Sequence, residues 1–550
     1  MDIALKKNIE DARYLDTVKI QLADGFKYNN IFEMLKRKVE NDQDGLFLTF
    51  YNDGKLDKQM SNKEFMVSVF YLSGFMQRLG ISNGSKVVLF STNHYNNVIF
   101  YFACWTLGAV AVPINVNEEF GRIEYIVGNA GAKYIFTTKE YNAKITGLKS
   151  VVITKFEDIN YSAQTTFNFD IGRSASINDE ALIVYTSGTT GNPKGVVLTQ
   201  FNLLIDSFFI AKWHKVNKGD AMMCVLPLHH VNGIVVTLLT PLIAGGKIVL
   251  NNKFHTHSFF PVIEKESVKI VSVVPTLLQF LLHSEIDIKR YNLSKFSHII
   301  CGAGPLTCEL ARNFEEKFNI KIVHGYGLSE TTCYSCFIPY NLPNDEHKKW
   351  QNDFGFPSIG IPLQCNEMEI HDDKGNSMNE GERGEIVIKG LNVMKYYFMN
   401  DEANTKAFEN GWFHSGDEGF FRFDNKGNKY FFITGRLKEL IIRGGVNISP
   451  LEIDEVLNSS ELIESAIAVG FDNDWYGEEV GAFVKLKNGI PESDEIANEI
   501  LKFCRNKLPF YKSPKVVVFS DFIPVTSTGK YRRNSVKDRF ESYKKIQFNK

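Results

Sequence analysis

Short apolar runs and helix-length stretches alternate along most of the chain. One helix has both ends marked, because Ser61 and Glu64 have the spacing of a capping box and the apolar run that follows stops at Gly80. The run KVVLF at 86–90 combines β-branched residues with a polar exit, which predicts a buried parallel strand. Runs of the same kind recur further on, as KYIFTT, VVIT, LIVYTS, MMCVLP, KIVL, KIVSVVP, HIICGAG and KIVHGYG. This alternation predicts an α/β fold with doubly wound sheets, in which ligands bind at the carboxyl ends of the strands.

The pattern changes twice toward the carboxyl end. Residues 367–390 read as short strands joined by Gly and Asp turns, which predicts a barrel-like subdomain. After GRLKELIIRGG (435–445), Ser449 and Pro450 fit the N-cap and first position of a new helix. We therefore predict a large N-terminal domain over residues 1–435 and a small α+β C-terminal domain over 436–550. The polar segments 161–180 and 340–353 are predicted to be surface loops.

Composition and charge exclude several classes of protein. The 550 residues are 44% hydrophobic and 23% charged, with a formal net charge of −2, so nothing favours disorder or binding to nucleic acid. The longest apolar run, 98–113, is shorter than the roughly 20 residues of a membrane span and contains Gly108 and Pro113. The first residues lack the apolar core of a signal peptide, so we expect a cytoplasmic protein without a transmembrane segment. Cys333 and Cys336 form an isolated pair with no second pair at zinc-site spacing.

The strongest chemical signal is the segment 185–195, YTSGTTGNPKG. A buried strand leads into a loop whose glycines can turn with positive φ and present backbone N–H groups to an anion. Its hydroxyls add donors and its lysine adds positive charge. The order Pro-Lys-Gly differs from a Walker A loop, which requires Gly-Lys followed by Ser or Thr. A phosphate-binding loop is the best interpretation of this segment.

At this point the chain resembles the adenylate-forming superfamily, which includes acyl-CoA synthetases, the adenylation domains of peptide synthetases and beetle luciferases. The resemblance covers almost the whole length, because further family motifs follow in order: LPLHHVNG (226–233), CGAGP (301–305), GYGLSETT (325–332), GWFHSGDEG (411–419), GRLKELIIRGG (435–445) and PVTSTGKYRR (524–533).

The resemblance implies how ATP is held. The phosphate loop would bind the β- and γ-phosphates through Thr186, Ser187, Gly188, Thr189, Thr190, Gly191 and Lys194. Adenine would lie against Gly302, Ala303 and Gly304, beside Tyr326 and Gly327. Asp417, supported by Arg436, would accept the ribose hydroxyls.

The resemblance also implies the catalytic groups. Glu330 would bind Mg²⁺, Thr331 would donate a hydrogen bond to the α-phosphate, and Lys530 would neutralise the charge that develops as a carboxylate attacks ATP. His230 would lie beside the carboxylate of the acid, with His229 as the alternative if the register is shifted by one. The small domain would then rotate about Lys438, so that Gly444 and Gly445 border a channel for coenzyme A.

The reaction expected from this resemblance is the formation of an acyl-AMP and its thioesterification to coenzyme A. Amino-acid-activating relatives carry Asp where this chain has Val231, and residues 201–213 and 272–282 are apolar, so we expect a fatty or aryl acid. Two alternatives remain open, a stand-alone adenylation enzyme that loads a carrier protein or an amine, and a non-catalytic scaffold that binds nucleotide or acid. Luciferase-like oxygenation uses the same scaffold. The segment 393–404 departs from the family at Tyr396 and Asp401, and we expect it to lie away from the chemistry.

Overall fold

The computed structural model describes residues 1–14, 26–159, 175–186, 192–525 and 531–548. The helices in these ranges are α1 (Ile3–Arg13), α2 (Ile31–Asn41), α3 (Asn62–Arg78), α4 (Tyr95–Leu107), α5 (Phe120–Ala130), α6 (Lys139–Asn142), α7 (Gln200–Trp213), α8 (Thr240–Ile243), α9 (Thr256–Glu266), α10 (Pro275–Leu282), α11 (Cys308–Phe318), α12 (Asn344–Asn352), α13 (Asp401–Ala407), α14 (Pro450–Asn458) and α15 (Asp494–Lys507). A π-helix, Asn232–Leu239, precedes α8.

The strands are β1 (Leu46–Asn52), β2 (Lys55–Ser61), β3 (Lys86–Phe90), β4 (Val110–Pro113), β5 (Tyr134–Thr137), β6 (Val152–Lys155), β7 (Glu180–Thr186), β8 (Lys194–Thr199), β9 (Ala221–Cys224), β10 (Lys247–Asn251), β11 (Val268–Val273), β12 (His298–Cys301), β13 (Ile322–Tyr326), β14 (Cys336–Phe337), β15 (Ile361–Pro362), β16 (Asn366–His371), β17 (Gly384–Gly390), β18 (Tyr396–Tyr397), β19 (Phe413–Phe423), β20 (Lys429–Arg436), β21 (Ile441–Arg443), β22 (Val446–Ile448), β23 (Ile463–Asn473), β24 (Gly477–Leu486) and β25 (Val516–Phe519).

Two large sheets form the body of the molecule. One has nine strands in the order β15-β14-β13-β12-β11-β9-β10-β1-β2, and the other has seven in the order β18-β8-β7-β4-β3-β5-β6. From β13 through β1 the neighbours in the first sheet are parallel, as are β7, β4, β3, β5 and β6 in the second. These parallel strands are apolar and mostly buried on both faces, as expected for strands covered by helices. The doubly wound α/β architecture predicted for the large domain is therefore confirmed.

Two smaller sheets follow in the second part of the chain. The first is antiparallel, in the order β16-β17-β19-β20, and contains the segment predicted to be barrel-like. The second joins β22, β21, β24 and β23, with β25 parallel to β24, and α14 and α15 belong to the same small α+β unit. The domain limits of 1–435 and 436–550 stay a prediction.

Local sequence explains several element boundaries. Ser61 and Glu64 form the capping box at the start of α3, and Gly80, two residues beyond its end, has a φ of 87°. β3 has the predicted bounds. Ser449 caps α14, and Pro450 is its first residue. The marked helix ends and the β-branched run were thus sufficient to locate these elements.

One expected loop is wrong in part. Residues 344–352 of the segment 340–353 form α12, although this helix is polar over most of its length. Trp350 anchors the helix, since its ring stacks on Tyr430 at a centroid distance of 3.8 Å. The other buried residues of this helix, His347 and Gln351, are polar, so the helix lacks the apolar stripe by which a helix is recognised in sequence. Most of the other expected loop, 161–180, lies outside the described residues.

A search of the described helices finds none that is both long and apolar enough to cross a membrane. The 98–113 run instead forms α4, which is buried along most of its length, followed by β4. Gly108, between them, closes α4 in the left-handed conformation, with φ at 69°. A buried helix running into a strand is what the residues of this run predict.

Candidate active site

A cleft opens at the carboxyl ends of β12 and β13, between the large and small domains. The large domain lines it with residues 303–307, 324–327 and parts of the β19–β20 hairpin, and the small domain with residues near 450–455 and 531–533. The carboxyl ends of parallel strands are where α/β sheets bind ligands. Among the residues predicted to hold a nucleotide, Ala303, Gly304, Tyr326, Gly327, Asp417 and Arg436 all line this cleft.

Close packing explains two glycines of the cleft. A Cβ on Gly302 would lie 2.5 Å from the hydroxyl of Tyr334, and a Cβ on Gly327 would lie 1.8 Å from the carbonyl oxygen of Cys333. Neither position therefore accepts a larger residue without a backbone shift. Ala303, between Gly302 and Gly304, has a φ of 63°, a conformation that non-glycine residues rarely adopt.

Asp417, Tyr326 and Arg436 form one cluster on the cleft wall. Asp417 and Arg436 face each other across β19 and β20. The Tyr326 hydroxyl donates to Asp417 Oδ2 at 2.6 Å, and Arg436 Nε lies 3.1 Å from Asp417 Oδ1. Asp417 is fully buried, and no donor among the described residues is aligned for a hydrogen bond to its Oδ1. A hydroxyl from a ligand in the cleft would complete the hydrogen bonding of that oxygen.

The electrostatics of this cluster favour a charged Arg436 and a protonated, neutral Tyr326. Asp417 raises the pKa of the Arg436 guanidinium, so Arg436 stays charged at every ordinary pH. Burial and the neighbouring Asp417 carboxylate raise the pKa of Tyr326, which therefore keeps its proton for the hydrogen bond. The wall thus presents a fixed carboxylate whose negative charge is offset by one guanidinium.

The two ends of the predicted phosphate loop come together. Thr186, the last residue of β7, pairs with Lys194, the first residue of β8. The intervening candidates Ser187, Gly188, Thr189, Thr190 and Gly191 lie outside the described residues.

Tyr397 contacts both Lys194 and Glu330, the carboxylate that is predicted to bind Mg²⁺. The ammonium group stands 4.9 Å from the centre of the Tyr397 ring, and the Tyr397 hydroxyl donates to Glu330 Oε1 at 2.8 Å. Burial and the like charge of Lys438 lower the pKa of Lys194, while Glu330 opposes this shift. Lys194, Lys438 and Glu330 are thus close enough to interact electrostatically.

Tyr397 was missed by sequence reasoning. Its strand, β18, pairs with β8, and the Met394 amide donates to the Glu330 carbonyl at 2.7 Å, so the segment 393–404 reaches the site instead of lying away from it. The departure at Tyr396 was visible in the sequence, but Tyr396 itself donates to Glu180. Only the pairing of β18 with β8 reveals which of the two tyrosines faces the site.

The loop with the two histidines is fixed from the second sheet. Asn93 accepts a hydrogen bond from the Leu228 amide at 2.7 Å and donates to the Leu226 carbonyl at 2.9 Å, and Tyr101 donates to the Leu228 carbonyl at 2.5 Å. The rings of His229 and His230 have centroids 4.4 Å apart. Burial lowers the pKa of His229 to about 4, so that ring is neutral at pH 7. Asn93 and Tyr101 were missed, because a polar residue near the end of a strand and a buried aromatic carry no signal of their own.

Thr331 holds the turn that carries Glu330. It is fully buried, and its hydroxyl oxygen accepts a hydrogen bond from the Leu328 amide at 3.0 Å. This bond fixes the short 3₁₀ helix of residues 329–331. A contact of Thr331 with the α-phosphate stays a prediction.

Lys438, Gly444 and Gly445, which are predicted to serve the transfer of the acyl group to coenzyme A, do not line the cleft. Gly444 and Gly445 form the exposed tip of the β21–β22 hairpin, with φ values of 56° and 81°, so the turn itself accounts for both glycines in this arrangement. Lys438 lies in the 3₁₀ turn 437–439 that links β20 to β21. Lys530 lies outside the described residues, although its sequence neighbour Tyr531 lines the cleft.

The carboxylate of Glu330 suits a magnesium ion that is held partly by substrate better than a metal ion that is held by protein side chains alone. The described residues contain no group of three or more His, Cys, Asp or Glu side chains that could hold a metal ion. Magnesium is usually bound through one or two carboxylates together with substrate phosphates. Glu330, a carboxylate near the phosphate loop, is of that kind.

Comparisons with known proteins agree with this geometry. A family model described as "AMP-binding enzyme" matches residues 35–398, and one described as "AMP-binding enzyme C-terminal domain" matches residues 452–530. Among curated proteins, the oxalate–CoA ligase of Arabidopsis thaliana is 32% identical, over 84% of this chain and 89% of that protein. The long-chain-fatty-acid–CoA ligase of Bacillus subtilis is 29% identical, over 88% and 91%. Among solved structures, o-succinylbenzoate coenzyme A synthetase from Bacillus subtilis, in complex with ATP and magnesium ion, has a TM-score of 0.80 at 26% identity and covers 92% of this chain and 99% of its own.

Proposed function

The chain belongs to the AMP-binding enzyme family, and on that premise we propose that it converts an apolar carboxylic acid into its coenzyme A thioester. It is an AMP-forming acid–CoA ligase that uses ATP, Mg²⁺ and coenzyme A. In the first half-reaction the carboxylate attacks the α-phosphorus of ATP, giving acyl-AMP and pyrophosphate. In the second, the thiol of coenzyme A attacks the acyl carbon and AMP leaves. The identity of the acid and the roles of individual residues are the proposal.

The cluster of Asp417, Tyr326 and Arg436 is the observation that carries the proposal. Both oxygens of a ribose diol can donate to one carboxylate, and Asp417 offers a buried carboxylate oxygen that lacks an aligned donor. Tyr326 and Arg436 hold the carboxylate in place from two sides. Ala303 and Gly304 line the same cleft, and their small size would let a flat base lie against the backbone.

Charge is the main obstacle to the first half-reaction. Two unit charges 4 Å apart repel by about 4 kcal/mol at an effective dielectric of about 20, and ATP carries several negative charges. Lys194, at the base of the phosphate loop, supplies one cation. Lys530 would supply a second beside the attacking carboxylate, and the position of its neighbour Tyr531 in the cleft wall supports this role.

Glu330 would hold Mg²⁺ together with the phosphates. When bound, the ion neutralises charge on the phosphoryl oxygens. The Tyr397 hydroxyl orients the Glu330 carboxylate, and the buried Thr331 fixes the turn from which Glu330 projects. His229, which is neutral at pH 7, and the adjacent His230 would lie beside the carboxylate of the acid, where a neutral imidazole can donate a hydrogen bond without adding charge.

The residues that follow the two histidines, together with helix α7, favour an apolar acid. Val231 stands where a carboxylate would be needed to pair with the ammonium of an amino acid. The π-helix that follows, Asn232–Leu239, and helix α7 are rich in buried apolar side chains. The relatives carry names as different as oxalate–CoA ligase and long-chain-fatty-acid–CoA ligase, so the acid must be found by experiment.

The test of the proposal is a mass-spectrometric screen of the purified chain with ATP and Mg²⁺ over aliphatic and aryl acids, with and without coenzyme A. We expect a coenzyme A thioester with one class of apolar acid. Acyl-AMP that persists in the presence of coenzyme A would contradict the acceptor and point to a carrier protein. Turnover of polar acids alone, such as oxalate, would contradict the apolar substrate.

The role of Lys530 is tested by separating the half-reactions. Lys530→Ala should lower acyl-AMP formation by about 100-fold or more, because it removes a preorganised cation, and should affect thiolysis of supplied acyl-AMP much less. Lys502→Ala, which removes an exposed lysine of α15, serves as the control and should change neither rate. Equal loss of both half-reactions in Lys530→Ala would refute this division of roles.

A further inference from the structure

A second cavity, separate from the active-site cleft, lies at the carboxyl ends of strands from both large sheets. Its volume is about 850 Å³, within the range of pockets that hold small-molecule ligands. Its lining comes from β1, β2, α3 and α4 and from the segments that follow β1, β3, β5, β6 and β10. Among the residues that the structure describes, none lines both this cavity and the cleft.

The order of the strands places this cavity where a doubly wound sheet usually binds a ligand. In the second sheet the chain leaves β3 to form its neighbour β4, and then crosses back to form β5 on the other side of β3. A crevice opens at such a change of direction, outside the carboxyl ends of the central strands, and ligands bind there. Residues 91–94, which follow β3, and Thr138, which follows β5, both line the cavity.

The first sheet provides an internal comparison. There β9, β10 and β11 repeat the order of β3, β4 and β5, because β10 and β11 lie on opposite sides of β9. The loop that follows β9 contains His229 and His230, which the proposed function places beside the acid. The corresponding loop of the second sheet ends at His94 and lines a cavity that has no role in the proposed reaction.

One wall of the cavity is aromatic. The rings of His94 and Tyr95 are tilted by 35° with centroids 4.1 Å apart, and the Phe50 centroid lies 5.0 Å from the first and 5.6 Å from the second. His94 Nδ1 accepts a hydrogen bond from the Asn96 amide, which holds the ring in place. Burial lowers the pKa of His94, so its imidazole is neutral at pH 7. A fixed wall of uncharged rings suits the face of another planar ring.

The rest of the lining is polar. Side-chain amides and hydroxyls dominate it, namely those of Asn52, Ser68, Ser91, Thr92, Asn93, Asn96, Thr138 and Asn252. Such groups can both donate and accept hydrogen bonds. The hydroxyl oxygen of Thr138 has no hydrogen-bond partner among the described residues.

The charges around the cavity are largely balanced. Lys253 Nζ lies 3.1 Å from the Asp53 carboxylate, and Glu157 accepts from the Lys139 amide at 3.0 and 3.1 Å. Of the described residues that line the cavity, two are lysines and three are carboxylates. The lining therefore has no excess of positive charge that would attract a phosphate.

We propose that this cavity is a second ligand-binding site, which takes an uncharged nucleoside. The base would stack on the wall of Phe50, His94 and Tyr95, and its polar edge and sugar hydroxyls would pair with the amide and hydroxyl side chains. ATP, AMP, coenzyme A and the carboxylic acid are all anions, so none of them is the ligand that this lining favours. The inference thus goes beyond the ligase reaction.

The test is a binding assay on the full chain with adenosine, guanosine, cytidine and uridine as probes. Saturating AMP and coenzyme A are present, so that the sites of the ligase reaction are occupied. Saturation-transfer NMR detects binding, and calorimetric titration measures it. We expect at least one nucleoside to bind with a dissociation constant below about 1 mM.

A pair of tryptophan variants on α3 locates the binding. Ser68 lines the cavity, and its hydroxyl donates to the Glu64 carbonyl of the same helix at 2.9 Å. Ser68→Trp places a large ring in the cavity and should raise the dissociation constant at least about tenfold through steric exclusion. Val67→Trp adds the same ring at the exposed neighbouring position and should leave the dissociation constant unchanged.

A further variant tests the aromatic wall and replaces Ser68→Trp if that protein does not fold. Tyr95→Leu removes one ring of the wall and should weaken binding at least about fivefold, as expected for the loss of one base–aromatic contact. Asn93 is left unchanged in these experiments, because it also holds the loop of His229 and His230 through Leu226 and Leu228.

Each outcome decides the inference. Binding that Ser68→Trp or Tyr95→Leu weakens and that Val67→Trp preserves would support it. Binding that disappears when AMP and coenzyme A are added would show that the probe enters the active site, and would overturn it. The inference would also be overturned if no nucleoside bound, or if Ser68→Trp and Tyr95→Leu bound the probe as wild type does.

Discussion

Two pairs of a buried Asp and an Arg line the same cleft, one on the β19–β20 hairpin and one in the small domain, and they differ in how completely their hydrogen bonding is satisfied. In the large domain, Asp417 accepts one hydrogen bond from Tyr326, and Arg436 approaches its other oxygen without alignment for a hydrogen bond. In the small domain, Asp454 is bonded through both oxygens to Arg533, and the Ala468 amide donates to its Oδ1 at 2.6 Å.

The arginines of the two pairs also differ in their exposure to solvent. The Arg436 side chain is 38% exposed, whereas that of Arg533 is 7% exposed. A pair that saturates itself holds a fold together, and a pair with an unused acceptor and a partly hydrated cation can receive a ligand. From this difference in hydrogen bonding we predict that the Asp454–Arg533 pair serves stability and that the Asp417–Arg436 pair serves binding.

The largest effect on stability is expected at the saturated pair. Asp454→Ala should lower the free energy of unfolding by about 3–5 kcal/mol, because it leaves the buried Arg533 charge with only a distant carboxylate, Glu439, 3.9 Å from its Nε. Chemical denaturation followed by circular dichroism measures the change. Asp472→Ala, at an exposed position on β23, should stay within about 0.5 kcal/mol of wild type. Equal small changes in the two variants would show that the Asp454 pair is not structural.

The Asp417–Arg436 pair should instead control nucleotide binding. Asp417→Asn should lower kcat/KM for ATP by about 100-fold, or about 2.7 kcal/mol, because an amide replaces the carboxylate that accepts the ribose hydroxyls. Its unfolding midpoint should change less than that of Asp454→Ala, since Arg436 remains partly hydrated. Calorimetric titration with AMP measures the affinity, and Asp424→Asn, in the turn of the same hairpin, is the matched control. If Asp417→Asn bound AMP with the wild-type affinity, the proposed difference in role between the two Asp–Arg pairs would be wrong.

A third carboxylate, Glu455, follows Asp454 in sequence, and no cation among the residues that the structure describes forms an ion pair with it. It accepts from the Cys308 amide of the large domain, at 3.0 and 3.2 Å, so it joins the two domains. Burial raises the pKa of Glu455 to about 8, with further contributions from Asp454 and Glu309 that Arg312 and the Cys308 amide oppose. Because the pKa is higher when the domains are docked, the protonated form stabilises docking at low pH, and this stabilisation is lost as the pH rises through about 8.

This sign predicts a pH-dependent domain contact. Between about pH 7 and about pH 9 the docking equilibrium constant should fall about tenfold in wild type and stay nearly constant in Glu455→Gln. Tryptic cleavage near Lys438 reports the change, and the ratio of the two proteins at each pH cancels the pH profile of trypsin. Glu461→Gln, at an exposed position, should follow wild type. A ratio that does not vary with pH would contradict a titrating contact.

The smallest effect is expected from Tyr326→Phe. The variant keeps the ring on the cleft wall and removes one hydrogen bond to Asp417, which should cost about 1 kcal/mol, or about fivefold in KM for ATP. Steady-state kinetics measures it. A loss as large as that of Asp417→Asn would mean that the tyrosine positions the carboxylate and does not merely support it.

The comparison also shows what sequence can predict in this molecule. The strands at the cleft and the residues Tyr326, Asp417 and Arg436 follow from short local motifs, and the fold places them together. Tyr397 and Asn93 were missed because their roles depend on contacts made across long sequence separations, such as the pairing of β18 with β8. Helix α12 was missed because two of its three buried residues, His347 and Gln351, are polar and only Trp350 is apolar.

The contact between Glu455 and Cys308 has a practical consequence for labelling. Cys308 is partly exposed, whereas the other seven cysteines are buried. Burial and the adjacent Glu455 raise the pKa of the Cys308 thiol to about 12, so alkylating reagents, which attack through the thiolate, should react slowly while the domains are docked. The rate of alkylation at Cys308 would then record each opening of the contact, and the native chain carries its own chemical reporter of domain movement.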